Sequence, residues 1–166
     1  IANRKAGDAS DPRNSLFKEF IRLGEIFEPE VMIMENVPNL IKAKTHSNEF
    51  VIDIIVKELE NLGYNVDHTI LSATDFGVPQ IRKRLVVIAS KQKLDNPFPQ
   101  ATHSIENGSY SLFGNNLIKT PTLWDAISDL PQIEACQGGE EMEYTTSPKN
   151  DFQKYLRGKS NKVYNH

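Results

Sequence analysis

The chain has a single cysteine, Cys136, so no internal disulfide can form, and that fits a reducing compartment. No apolar run approaches the length of a membrane span and no signal peptide is visible, so no membrane is expected as a partner. Basic charge is not in excess: 19 Lys and Arg against 22 Asp and Glu leave a net charge of -3, so any nucleic-acid contact needs a local basic patch. There is no Gly-x-Gly, and Gly138-Gly139 follows no strand and opens no helix, so no glycine loop for a nucleotide-like cofactor is evident. Internal repeats are absent, and no metal site is expected. The chain begins at Ile1 without a Met, as expected of an excised or processed piece. What remains is an ordinary globular composition over 166 residues, enough for one domain with a real core.

The stretch Val31-Met32-Ile33-Met34-Glu35-Asn36-Val37-Pro38-Asn39 organises the chain. Four apolar residues run into a carboxylate, a pattern that suits a parallel strand buried on both faces. Pro38 cannot continue a central strand, and Asn36 and Asn39 favour turns. The strand is therefore expected to end near Glu35. That puts the carboxylate at the carboxyl edge of the sheet, where open α/β sheets carry their ligand crevice. Backed by Val31 to Met34, Glu35 is expected to be partly desolvated, which raises a carboxyl pKa towards the range useful for proton transfer. The plainer alternative is a strand-end Glu facing solvent or pairing with a nearby Lys.

Upstream, Leu16, Phe17, Phe20, Ile21, Leu23 and Phe27 recur at helical spacing, with Asn14 or Ser15 as N-cap and Pro29 as the stop. Gly24 weakens this helix without ending it. Ile1 to Asn14 is a polar surface loop, in which Arg4, Lys5 and Arg13 are either phosphate contacts or solvated charges. After a polar loop from Asn39 to His46, Ser47 is the expected cap of a second helix carrying Phe50, Ile54, Ile55 and Leu59, with Gly63 as its stop. Tyr64 to Leu71 reads as a strand, alternating through Tyr64, Val66, His68 and Ile70; His68 there is a packed or edge histidine rather than a ligand. Strand, helix, strand implies a right-handed parallel crossover, so both strands end at the edge that carries Glu35.

Leu85 to Ala89 is another buried strand. The connection before it holds Gly77 and Pro79 and shows no helical period. A parallel return needs a crossover, so this strand is expected to run antiparallel and to start at the shared edge. Arg82 and Arg84, two residues apart, are then expected on one face of it, at the same edge as Glu35. Guanidiniums entering a buried strand are costly without an anion or a polar ligand. They either build a site or pair with surface carboxylates of the same protein.

Beyond Ser90 the composition shifts. Asn96 to Pro99 and Glu106 to Asn116 read as long loops. Thr122 with Asp125 forms a capping arrangement for a short helix whose Trp124 and Ile127 are expected to dock on the sheet. Glu134 to Glu143 is acidic and expected to be exposed. Ser147-Pro148 starts a last helix bearing Phe152, Tyr155 and Leu156, stopped by Gly158. Lys154, Arg157, Lys159 and Lys162 make the one basic cluster, either a solvated helix face or a nucleic-acid backbone contact.

Three ordered motifs, Asp11-Pro12-Arg13-Asn14-Ser15-Leu16-Phe17, Met34-Glu35-Asn36-Val37 and Phe76-Gly77-Val78-Pro79-Gln80-Ile81-Arg82-Lys83-Arg84, resemble those of the cytosine-5 DNA methyltransferases, spacing included. Each alone is weak; together, ending in Gln-x-Arg-x-Arg, they are specific. Pro121 to Pro131 and Phe152 to Arg157 resemble the segment that many members place before their target-recognition domain, so the likeness covers nearly the whole chain. It implies a partial Rossmann-like α/β fold of the S-adenosylmethionine-dependent methyltransferases, with parallel strands, crossover helices and one antiparallel strand. Residues 1–90 would be part of the catalytic domain and residues 91–166 a loop-rich, helical extension.

The resemblance also implies a chemistry. A cytosine is flipped out of double-stranded DNA. A cysteine thiolate attacks its carbon 6, carbon 5 takes the methyl group of S-adenosylmethionine, and a base removes the carbon 5 proton. Glu35 matches the glutamate that, protonated, holds ring nitrogen 3 and accepts from the exocyclic amine. Arg84 matches the arginine on the cytosine carbonyl oxygen, and Arg82 supports the pocket. Asn36 and Gln80 have supporting roles, Gln80 in ordering its loop, and Leu16 matches an apolar contact with the cofactor. Ile1 to Arg13 matches a mobile loop that closes over DNA, with Arg4, Lys5 and Arg13 on phosphates.

The family's nucleophile lies in a Pro-Cys-Gln segment placed before that loop, and the chain starts after this point. Cys136, in Glu134-Ala135-Cys136-Gln137, lacks the proline and is expected to be a bystander. The Gly-rich cofactor loop and the recognition domain are not in the chain either. A middle fragment of a catalytic domain is expected, inactive alone. Its partners would be double-stranded DNA and the missing parts of the same domain, with no sign of an obligate protein partner. Its setting would be a bacterial restriction-modification system, in the cytoplasm at the nucleoid. An RNA methyltransferase of the same fold and a non-catalytic paralogue are the alternatives. Retention of Glu35, Arg82 and Arg84 argues against the second.

Overall fold

Proline at 29 and glycine at 63 end two amphipathic helices, and each helix is followed by a β-rich run. The computed structural model describes residues 16–45, 47–106 and 116–164. Arg4, Lys5, Arg13, the expected caps Asn14 and Ser15, and most of the 106–116 run lie outside the described residues. Spatial packing divides the chain into two compact units that do not follow chain order: Ile1–Ser72 with Lys83–Gln100, and Ala73–Arg82 with Ala101–His166.

In the first unit, α1 (Leu16–Phe27) leads into β1 (Val31–Asn36), followed by a 3-10 turn at Pro38–Lys42, then α2 (Val51–Asn61), β2 (Asn65–Ser72) and β3 (Lys83–Ser90). The three strands form one sheet in the order β1-β3-β2. β3 is antiparallel to both neighbours, with Glu35 opposite Val86 and Leu71 opposite Arg84. β1 and β2 therefore run parallel, as the helix between them requires, but β3 lies between them. Both end, and β3 begins, at one edge of the sheet. This is the mixed α/β arrangement expected from the sequence.

Side-chain alternation assigns the faces. Met32, Leu85, Val87 and Ala89 point to the helices and are buried with Val51, Ile52, Ile55, Leu59 and Tyr64. Phe17, Phe20 and Ile21 of α1 pack against this core. Gly24 has a purpose there: a Cβ on it would lie 2.6 Å from the Met32 sulfur, so the bare backbone makes room for the thioether. The Tyr64 hydroxyl donates to the Pro29 carbonyl at 2.8 Å. Burial pushes its pKa up, and the nearby Glu28 and Glu30 add to the effect.

The opposite sheet face is open. Val31 is 47% and Ile33 63% exposed, so β1 is not buried on both faces as its apolar run suggested. A continuous apolar run reports that both faces are suited to burial, not that this chain supplies both cover layers. Ser47 does not cap α2 either. Phe50 holds that position with no side-chain cap, and the Ser47 hydroxyl donates to Glu49 instead. A short ladder at Lys44 and Phe50, with the Val51 N–H on the Ala43 carbonyl, sets where α2 starts.

The second unit contains a 3-10 turn at Ala73–Phe76, the two-residue parallel strands β4 (His103–Ser104) and β5 (Ile118–Lys119), α3 (Leu123–Ile127), β6 (Glu141–Glu143), α4 (Asp151–Arg157) and β7 (Lys162–Tyr164), with β6 and β7 antiparallel. Thr122 and Asp125 form a reciprocal capping box at the start of α3. Hydrogen bonds from Thr122 hold the Asp125 carboxyl below its usual pKa. Trp124 and Ile127 were expected to be covered, but Trp124 is 69% and Ile127 41% exposed. α3 is held to α4 by polar groups instead. Buried Gln153 donates to the Asp125 carbonyl at 2.8 Å and to the Ser128 hydroxyl at 2.9 Å, and Asn150 donates to the same carbonyl at 3.0 Å. Asn150, not Ser147, caps α4, and Gly158 ends it at φ 55.

The basic cluster is not one solvated face. Lys154 pairs with Asp151, and Lys162 with Glu141, which raises the Lys162 pKa. Arg157 is internal. Its Nη2 lies 2.6 Å from Asp129 Oδ2, it donates to the Thr146 carbonyl at 2.7 Å, and its guanidinium covers the Tyr144 ring at 3.6 Å. Both partners are nearly buried, so removing Asp129 strands a guanidinium. Asp129→Ala is expected to cost about 3–5 kcal/mol, and the double variant with Arg157→Met should recover much of it. Urea unfolding followed by Trp124, the single tryptophan and part of this unit, measures both.

Candidate active site

Glu35 and Arg84 are diagonal neighbours across the β1–β3 pair, a separation that long side chains span. The period of two puts both on the open face, with Val86 and Ile88 behind them. Glu35 Oε1 lies 2.5 Å from Arg84 Nε, and Arg84 Nη1 donates to the Lys83 carbonyl at 2.8 Å. The guanidinium is thus fixed at two of its nitrogens. Side-chain exposure is 25% for Arg84 and 55% for Glu35, so Glu35 is not desolvated as its position suggested. The open sheet face leaves it in water.

Asn36 closes the strand. Its side-chain oxygen accepts from the Val37 N–H at 2.8 Å, which turns the chain into Pro38. This holds the backbone on the far side of Glu35. Arg82 differs from the expectation. β3 begins at Lys83, so Arg82 is the last residue of the preceding loop and the strand period does not set its direction. Its carbonyl accepts from the Ala73 N–H at 2.9 Å, and its own N–H donates to the Gln80 carbonyl at 2.9 Å. Gln80 in turn donates its N–H to the Val78 carbonyl at 2.7 Å, across Pro79. Two successive three-residue turns present Gln80 and Arg82 as exposed side chains of the second unit.

Leu16 opens α1 and is 62% exposed. Cys136 is free and exposed in a turn of the second unit, at φ 64. Among the described residues no group of three or more His, Cys, Asp or Glu is placed to hold a metal ion, and no helix is long and apolar enough to cross a membrane. Sequence reasoning passed over His103 and Thr120, which touch the loop that carries Gln80 and Arg82. Each sits in or beside a two-residue strand, too short to leave a periodic signal.

The profile of the C-5 cytosine-specific DNA methylases matches residues 3–165. The chain belongs to that family. It is 41% identical over 163 residues to the type II methyltransferase M.DdeI of Desulfomicrobium norvegicum, covering 96% of this chain and 36% of that protein. It is 33% identical over 167 residues to the type II methyltransferase M.AgeI of Thalassovita gelatinovora, covering 94% of this chain and 38% of the relative. This methylase-family chain thus spans little more than a third of the length of either. Among solved structures it resembles one described as a DNA modification methyltransferase encoded within an E. coli prophage. That match has a TM-score of 0.61 at 23% identity over 89% of this chain and 40% of the other, a likeness of fold.

The half-exposed Glu35–Arg84 pair carries the energetic weight of a surface ion pair. Glu35→Gln is expected to change folding stability by no more than about 1 kcal/mol in urea unfolding. A larger loss would mean that the pair is structural.

Proposed function

We propose that the protein carrying this methylase segment transfers a methyl group from S-adenosylmethionine to carbon 5 of a cytosine flipped out of double-stranded DNA, within a type II restriction-modification system. The observation that carries this reading is the Glu35–Arg84 pair at the edge where β1 ends and β3 begins, in a chain of the C-5 methylase family. The names of the relatives, type II methyltransferases, support the setting.

The chemistry of the pair suits one edge of cytosine. That edge offers an amine donor, a ring nitrogen acceptor and a carbonyl acceptor in a row. The Glu35 carboxyl accepts from the amine and, protonated, donates to ring nitrogen 3. Arg84 donates to the carbonyl oxygen. Thymine carries the opposite pattern at the first two positions and would be refused. Drawing positive character onto the ring makes carbon 6 electrophilic. Arg82 and Gln80 keep the supporting roles of their motif, Asn36 holds the strand end, and Arg4, Lys5 and Arg13 meet DNA phosphates.

S-adenosylmethionine supplies the methyl group when bound. This chain's contribution to its site is Leu16, whose exposed side chain at the start of α1 suits an apolar contact.

In the full-length protein, Glu35→Gln is expected to lower kcat by at least ~100-fold, the scale of a positioned acid-base group. Arg84→Ala should weaken the grip on the flipped base by about 1.5–3 kcal/mol, the worth of a hydrogen bond to a charged group. Arg84→Lys should rescue only part of this, because an ammonium cannot reproduce the planar fork. Initial rates of labelled methyl transfer to unmethylated DNA test both; near-normal turnover in the Glu35 variant would remove it from the mechanism.

The 166-residue chain alone is expected to transfer no methyl group. Incorporation of label into DNA by the purified chain, abolished by Glu35→Gln, would refute this.

A further inference from the structure

The loop Ala73–Arg82 lies between β2 and β3 in sequence, but it packs within the second unit. Three contacts hold it there. Gly77 is buried at φ 81, and a Cβ on it would lie 2.8 Å from His103 Nε2 and 2.9 Å from His103 Cε1, so the imidazole rests directly on the glycine backbone. The His103 ring is itself held by a hydrogen bond between Nδ1 and the Thr102 hydroxyl at 2.8 Å. The Thr102 N–H donates to the Asp75 carbonyl at 2.9 Å. The hydroxyl of buried Thr120 donates to the Thr74 carbonyl at 2.8 Å. These groups form a single element, because β4 and β5 are bonded to each other: Ile118 N–H to the Thr102 carbonyl at 3.0 Å, and Thr120 N–H to the Ser104 carbonyl at 2.8 Å.

Within the loop, Gly77 N–H donates to the Thr74 carbonyl and Val78 N–H to the Ala73 carbonyl. The turns at Gln80 and Arg82 come next without a break. The 3-10 turn that the ribbon grips is therefore the base on which Gln80 and Arg82 are presented. We propose that His103 and Thr120 are positioning residues that set the Gln80–Arg82 segment, the ribbon β4–β5 acting as its clamp. They touch neither base nor cofactor; they act through the loop. The role in catalysis rests on the methyltransferase reading above, whereas the clamp itself does not.

The test has two arms, both on the full-length protein carrying this chain. In the first, amide hydrogen exchange of the peptide spanning residues 73–82 is compared with that of α2. Thr120→Val and His103→Ala should each speed exchange in the loop about tenfold or more and leave α2 unchanged. An unchanged loop overturns the clamp whatever the protein's activity. In the second arm, kcat and KM are measured for DNA and for S-adenosylmethionine. His103→Ala should lower kcat about 10- to 100-fold, the scale of a small misplacement of a polar group, with the KM for S-adenosylmethionine within about twofold. His103→Phe, which keeps a flat ring on Gly77, should restore most of the rate.

Gly77→Ala should lower kcat more than His103→Ala, through both the ring contact and the positive φ. The double variant Gly77→Ala with His103→Ala should lose less than the product of the single losses, because the second change removes the collision. Faster loop exchange with unchanged kcat, or strictly multiplicative losses, would overturn the positioning role. A wild-type protein that transfers no methyl group defeats the functional reading instead and leaves the exchange arm to judge the clamp.

Discussion

A strand that runs antiparallel to neighbours on both sides starts at the edge where those neighbours end, and β3 is such a strand. Its position between β1 and β2 decides most of the geometry of the first unit. It makes Leu85, Val87 and Ala89 the floor of the core and turns Val86, Ile88 and Arg84 to the other face. It brings the end of β1 beside the beginning of β3, so that a carboxylate and a guanidinium with about 50 residues between them in sequence form an ion pair at 2.5 Å. Without the inserted strand the two parallel neighbours would pair directly, and Glu35 would have no arginine diagonal to it.

The two faces of the sheet have different roles. One is sealed by α1 and α2 around Ile55 and Leu59, neither of them accessible to solvent. The other presents Val31 and Ile33 to solvent together with the Glu35–Arg84 pair. The second unit is built differently. Its short strands and helices have little apolar core to share, and side chains such as Gln153 and Arg157 join them by bonding to main-chain carbonyls. A unit of that kind depends on each polar group finding its partner, because an unpaired buried donor costs far more than a paired one contributes.

Much of the architecture was legible in the residues. Pro29, Gly63 and Gly158 mark where helices stop, and Thr122 with Asp125 marks where one starts, because these rules act within a single turn. The antiparallel sense of β3 was legible too: Gly77 and Pro79 leave no helix for a crossover. The start of α2 was not, since a backbone ladder at Lys44 and Phe50 replaces the side-chain cap that Ser47 offered. The fate of Arg157 was not legible either. A basic residue on a short amphipathic helix looks solvated until the Asp129 carboxylate and the Tyr144 ring are known to close over it.

By itself the sequence determined the order of the elements from α1 to β3, the sense of those three strands and the family, because period, turn chemistry and ordered motifs are properties of neighbouring residues. Tertiary structure alone decided three things: that β3 lies between β1 and β2, that Glu35 is half-exposed and paired with Arg84, and that Arg82 falls outside the strand whose period was to orient it. Each depends on which distant backbone supplies the hydrogen bonds and which side chains cover a face. Long-range pairing settles both, and no local pattern encodes it.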